Sequence, residues 1–196
     1  MRRNLFIFVA VAAITACGGS GTQEKNAMNE FKTIPFDAIR ESATKLVSNG
    51  FLVTAGNDSS FNVMTAGWGA IGHLWGRDVA LIFVRPQRYT FQFLRREEYF
   101  TLSFLPEEHR DVLTICGTLS GRDADKVKKA GLTPVKLAEG VITFQKASKV
   151  IVCKKLYGAD FINPEAFVDT AIVGNIYPQK DFHHMFVGEI VETLVK

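Results

Sequence analysis

A chain of 196 residues, 47% hydrophobic and 22% charged, carries enough apolar side chains to bury a core without disulfides or metals, and suits one domain behind a short leader. Its formal charge of +3 falls to +1 once Arg2 and Arg3 are set aside with that leader, and no basic run occurs elsewhere. This excludes the electrostatic footprint of a nucleic-acid binder.

The chain opens with the layout of a bacterial export signal. Arg2 and Arg3 form a positive region, and Leu5 to Ala13 an apolar run too short to span a bilayer. Ile14-Thr15-Ala16-Cys17 follows: an aliphatic residue, two small ones and a Cys, the order of a bacterial lipobox. Residues 1–16 therefore read as a lipoprotein signal peptide, Cys17 as the lipidated residue, and residues 17–30 as a polar, flexible tether. The expected location is outside the cytoplasm, lipid-anchored to a bacterial membrane. Residues 31–196 form the body. Its two cysteines, Cys116 and Cys153, could pair in an oxidising compartment, although buried thiols are the preferred reading; spacing does not decide. No Cys-x-x-Cys or His/Cys cluster points to a metal.

Along the body, Phe36 to Val47 has helical spacing, with Ile39, Ala43, Leu46 and Val47 near one face. Phe51 to Ala55 and Phe61 to Thr65 are strand-like around the turn cluster Gly56 to Ser60. Val79 to Arg85 is a strand ended by Pro86, Tyr89 to Arg96 a helix, Tyr99 to Leu105 a strand, and Glu107 to Cys116 a helix entered through Pro106. Asp123 to Ala130 is a short charged helix closed by Gly131. Val141 to Gln145, Lys149 to Leu156 and Met185 to Val191 are strands. Strands dominate without a βαβ rhythm, so the expected fold is mainly β: a closed antiparallel barrel with short helical insertions.

Four segments could carry chemistry. Asn62-Val63-Met64-Thr65-Ala66-Gly67-Trp68-Gly69 offers glycines for close backbone approach, soft flat contacts, and a hydroxyl and amides for a planar ring's carbonyls. Val84-Arg85-Pro86-Gln87-Arg88-Tyr89-Thr90 places two guanidinium groups about a rigid turn, suited to an anion. Cys116-Gly117-Thr118-Leu119-Ser120-Gly121-Arg122-Asp123-Ala124-Asp125-Lys126 leads into a helix start that favours phosphate, although Asp123 is also a good N-cap. Phe182-His183-His184-Met185 enters the last strand. Adjacent residues of a strand point to opposite faces, so one histidine at most should face a site, as a proton donor or a phosphate partner.

In this order the strings NVMTAGWGAIGHLWGRDVALIFVRPQRYTFQFL, YFTLSFL, CGTLSGRDADK and HHMFVGEI resemble the flavin reductase-like family, its flavoredoxin branch above all, over the whole body from about Phe31 onward. The resemblance implies an FMN-binding split β-barrel and a homodimer with one FMN per subunit near the interface. By position, Asn62, Met64, Thr65, Ala66 and Trp68 would line the isoalloxazine and ribityl chain, and Arg85, Arg88, Tyr89 and Thr90 would continue toward the phosphate. Ser103 would face the flavin; Cys116, Gly117, Ser120, Gly121 and Lys126 would cradle the phosphate; His183 would stand near the ring as the catalytic candidate. The implied activity is an oxidoreductase passing electrons from a reduced donor through FMN to a flavin, a metal chelate or a protein. An exported lipoprotein does not normally meet reduced nicotinamide. A non-catalytic flavin-binding or electron-transfer lipoprotein is therefore the alternative, and a related split barrel holding haem or another planar cofactor a third.

Overall fold

The computed structural model describes residues 30–196. The signal peptide, Cys17 and nearly all of the tether lie outside the described residues. Ten strands form among the described residues: β1 (Lys32–Thr33), β2 (Phe51–Asn57), β3 (Ser60–Ala66), β4 (Gly69–Leu74), β5 (Arg77–Val84), β6 (Tyr99–Phe104), β7 (Pro134–Lys136), β8 (Ile142–Phe144), β9 (Lys149–Gly158) and β10 (His184–Val195). Between them lie α1 (Ala43–Ser48), α2 (Tyr89–Arg96), α3 (Arg110–Thr118), α4 (Lys126–Lys129) and α5 (Thr170–Ile176). No helix among the described residues is long and apolar enough to cross a membrane.

One antiparallel sheet runs in the order β3-β2-β6-β9-β10-β5-β4, with β1 added on β10; β7 and β8 pair separately. The sheet rolls around a common core, because strands far apart in that order meet inside it. Met64 of β3, Phe51 and Val53 of β2, Phe104 of β6, Ile82 of β5 and Phe186 of β10 share one cluster. A Cβ on Gly69, at the start of edge strand β4, would lie 3.6 Å from the Phe51 ring. This is the mainly antiparallel architecture with short helices that the strand pattern predicts.

The two-residue period of a strand explains how two cores share the same strands. Phe51, Val53 and Ala55 of β2 enter the main core, whereas Leu52 points the other way and meets Val63, Val112 and Phe144 in a second cluster. In β6, Phe100, Leu102 and Phe104 face the main core. Thr101 and Ser103 face the other side, where Thr101 Oγ1 donates to Ile142 O at 2.7 Å and Ser103 Oγ lies 2.9 Å from Thr143 Oγ1.

Several expected elements are adjusted. The helix expected from Phe36 to Val47 is a 3-10 turn at Phe36–Ala38 followed by α1, because Ile39 is extended and Ser42 starts a new helix by accepting from Lys45 N. Asp125, not Asp123, caps α4, accepting from Lys128 N at 3.0 Å. Gly131 ends that helix at φ +58, as its left-handed position requires. Strands β4 and β7, and the insertion 159–183 that carries α5, were not anticipated. Cys116 and Cys153 are free, fully buried thiols in separate clusters.

Candidate functional site

β3 runs out at Ala66, and Gly67-Trp68 turns the chain into edge strand β4. Antiparallel pairing of β10 with β5 sets His184 opposite Val84 and Met185 opposite Phe83, which carries His183 alongside Arg85 at the end of β5. The turn after β5 delivers Arg88 to the start of α2, and Gly117 lies near the end of α3. These ends converge on a cavity of about 310 Å³ lined by Met64 to Trp68, Phe83, Arg85, Arg88, Gly117 and His183.

Its charges are fixed before any ligand arrives. Arg85 pairs with Asp181, donates to Ile176 O at 2.9 Å, and sits over the Tyr177 ring. Gln87 Nε2 donates to the same Asp181 oxygen at 2.6 Å, while the other oxygen, Oδ1, is buried without a partner. Arg88 Nη2 donates to Gly117 O at 2.8 Å. Lys126, almost wholly buried, donates to Cys116 O at 3.3 Å and Leu119 O at 3.1 Å. Two cations thus serve the carbonyls at the C-terminal end of α3, where the helix dipole favours positive charge. Burial pulls the Lys126 ammonium down to about 8.

His183 is buried with Nδ1 2.9 Å from Tyr177 Oη, and its ring lies 5.0 Å from the Trp68 ring. Burial, with the nearby Arg85, pulls its pKa down to about 4. It is therefore neutral at ordinary pH, and a charged imidazolium donor is not what this site offers. Burial also raises the Tyr177 phenol, which stays protonated. His184 points to the opposite face, toward Phe91 and Ala159 O. Of the two histidines, His183 faces the cavity.

The structure brings together Met64, Thr65, Ala66, Trp68, Arg85, Arg88, Gly117 and His183. Thr65 spends its hydroxyl proton on Leu113 O at 2.6 Å, so it can only accept from a ligand. The remaining candidates stand behind the wall or away from it. Asn62 is buried and donates to Thr90 Oγ1 at 2.7 Å, tying β3 to α2. Tyr89 meets Phe93 edge to face and lies under Arg122. Ser120 Oγ accepts from Arg122 N, and Gly121 packs against Asn62 and Tyr89. Cys116 presents its carbonyl to Lys126 while its thiol is buried in the second core, where burial raises it to about 11. Ser103 does not face the cavity: strand alternation turns it to Thr143.

Phe83, Tyr177 and Asp181 were missed. Phe83 had a signal, since it shares a strand face with Arg85 two residues on. A larger chamber of about 720 Å³ adjoins the first through Gly67, Trp68 and Phe83; α1, the start of β4 and Ile162, Ile172, Ile176 and Tyr177 of the insertion form its walls. Among the described residues, no group of three or more His, Cys, Asp or Glu could hold a metal.

The family model described as flavin reductase like domain matches residues 44–196. No curated protein matches the chain. Among solved structures, the FMN-binding domain of a flavin reductases-like enzyme from Shewanella baltica OS155 is 17% identical, with TM-score 0.61 over 84% of this chain and 76% of that one. Flavoredoxin of Desulfovibrio vulgaris (Miyazaki F) is 23% identical, with TM-score 0.58 over 75% and 69%. Flavoredoxin from Methanosarcina acetivorans is 16% identical, with TM-score 0.59 over 75% and 68%. At these identities the likeness is one of fold.

Proposed function

The chain belongs to the flavin reductase like domain family, and from that membership we propose that it is an FMN-binding oxidoreductase of the flavoredoxin type. It would pass electrons from a reduced donor to a flavin, a metal chelate or a protein. The observation that carries this reading is the division of the smaller cavity into a cationic and a flat, apolar part. Arg88 is held in place by Gly117 O, and no side chain caps the N-terminus of α2 beside it. That donor set suits a phosphate. Met64, Trp68 and Phe83 offer soft and aromatic surface to a ring system.

Bound FMN would supply the two-electron chemistry. The residues of this chain would do the rest. Arg88 holds the phosphate end. Thr65 accepts, and Gly67 lets the ring approach the backbone. His183, neutral and hydrogen-bonded to Tyr177, stands beside the ring without adding charge. Arg85, already neutralised by Asp181, supplies local field rather than a free anion site.

Purified protein mixed with FMN and desalted should keep about one equivalent by its visible flavin absorption. A colourless product would leave the fold without this ligand and reopen the function. We also propose a homodimer, and export with anchoring through lipidated Cys17. Cys17→Ser should move the protein from the membrane to the soluble fraction; unchanged fractionation would count against acylation. Outside the cytoplasm the electron donor would be a membrane-linked carrier or a partner protein.

A further inference from the structure

We infer that the larger chamber is a second binding site, for an uncharged planar ring compound bearing conjugated carbonyls, of the quinone class, lying against the flavin. This rests on the reading of the smaller cavity as the FMN site. The first observation is chemical. None of the side chains lining the larger chamber carries a charge. A dinucleotide, a free flavin phosphate or a carboxylate chelate finds no cationic partner for its charges on these walls. An apolar ring meets matching surface from Val47, Ile71, Ile162, Ile172 and Ile176, and about 720 Å³ accommodates a molecule of two or more fused rings.

The second observation is position. Gly67, Trp68 and Phe83 line both spaces, so a ring in the larger one touches the same residues as a ring in the smaller. The third is a polar group at the seam. Tyr177 lines the larger chamber and His183 the smaller, and the two are hydrogen-bonded at 2.9 Å. Both are neutral; one proton lies between them, and whichever of the two keeps the outer proton can donate a hydrogen bond to a carbonyl oxygen without demanding an anion. The fourth is the wall itself. α5 buries none of its own residues, and Ile172 and Ile176 line the chamber. The insertion is nevertheless held in place, by Arg85 with Asp181 and by Ile162 N donating to His183 O at 2.9 Å.

Conversion of a quinone to its hydroquinone takes up two electrons and two protons. Fully reduced FMN releases the same complement on returning to its oxidised form, so the exchange balances without another reactant.

The test is equilibrium dialysis of FMN-loaded protein against menadione, in wild type, Ile172→Asp and Tyr177→Phe. FMN retention is scored first by absorbance. If wild type keeps no FMN, the flavin reading fails on its own, and dialysis of the protein as obtained still decides the chamber. One saturable menadione site is expected, weakened at least about tenfold by Ile172→Asp and about fivefold by Tyr177→Phe. FMN retention in Ile172→Asp should match wild type, because Ile172 does not line the smaller cavity. Excess NAD+, which carries the dinucleotide's phosphates but cannot reduce the flavin, should not displace menadione. Menadione binding that is absent, indifferent to both substitutions, or displaced by NAD+ would overturn the assignment. So would Ile172→Asp splitting a dimer in sedimentation while menadione binding is unchanged, since the chamber would then be an interface between copies.

Discussion

Arg88→Ala is expected to weaken FMN about 10- to 100-fold while riboflavin binding changes by no more than about twofold. Hydrogen bonds to a charged group contribute about 1.5–3 kcal/mol, and each 1.4 kcal/mol is about tenfold in affinity. The guanidinium is already oriented by Gly117 O at 2.8 Å, so little ordering is left for the ligand to impose. Riboflavin lacks the phosphate and should be nearly indifferent. Parallel titrations of the apoprotein with the two flavins make the comparison, and equal losses would remove Arg88 from the phosphate end. The same region predicts a pH effect with a definite sign. Lys126 sits beside Arg88 with its pKa pulled down by burial to about 8. It is charged below that value and neutral above, so FMN should bind more weakly as pH rises from 7 to 9.5, while riboflavin stays flat. A flat FMN profile would mean that Lys126 serves only the carbonyls of Cys116 and Leu119.

Gly121→Ala should be strongly destabilising for so small a substitution. A Cβ there would fall 2.1 Å from Asn62 Oδ1 and 2.9 Å from Tyr89 Cδ1. Asn62 cannot swing aside cheaply, because its amide donates to Thr90 Oγ1 at 2.7 Å inside a buried contact. Overpacking of this kind costs about 1–3 kcal/mol, and the severity of the overlap puts the expected loss at the upper end. Urea denaturation reads it as a lower midpoint at unchanged slope, and FMN retention should fall because Asn62 joins β3 to the start of α2. Gly72→Ala on edge strand β4 is the control: nothing lies within 4 Å of its Cβ position, so the change should stay within about 0.5 kcal/mol. A wild-type midpoint for Gly121→Ala would show that the Asn62–Tyr89 wall yields.

Much of this architecture is legible in the chain. Val79 to Arg85 and Tyr99 to Leu105 read as strands because β-branched and aromatic residues recur between clear breakers. The cavity residues Met64 to Trp68, Arg85, Arg88 and His183 stand out because each combines an unusual side chain with the end of an element. The difficulty begins with direction and partnership. Ser103 sits in a strand that is buried on both faces, so composition could not say which face is which. Lys126 looks like a direct phosphate ligand until its partners, the carbonyls ending α3, are seen; what it offers a phosphate is its charge, not a contact. Asp181 is a single acidic residue in an irregular stretch, and its role comes from Arg85, 96 positions earlier. β4 was hidden by its glycines, and α5 by the absence of any buried stripe, since its isoleucines line a chamber instead of a core.

The two thiols have a practical consequence. Cys116 and Cys153 lie fully buried in different clusters, and burial raises both well above the range in which a thiolate reacts. Neither can meet the other or an alkylating reagent while the chain is folded. Their modification therefore counts molecules that have opened, each thiol reporting on its own cluster. If the second cluster, beneath α3, loosens before the main core, Cys116 will be labelled first, and the protein carries a built-in clock for the order in which these two clusters come apart.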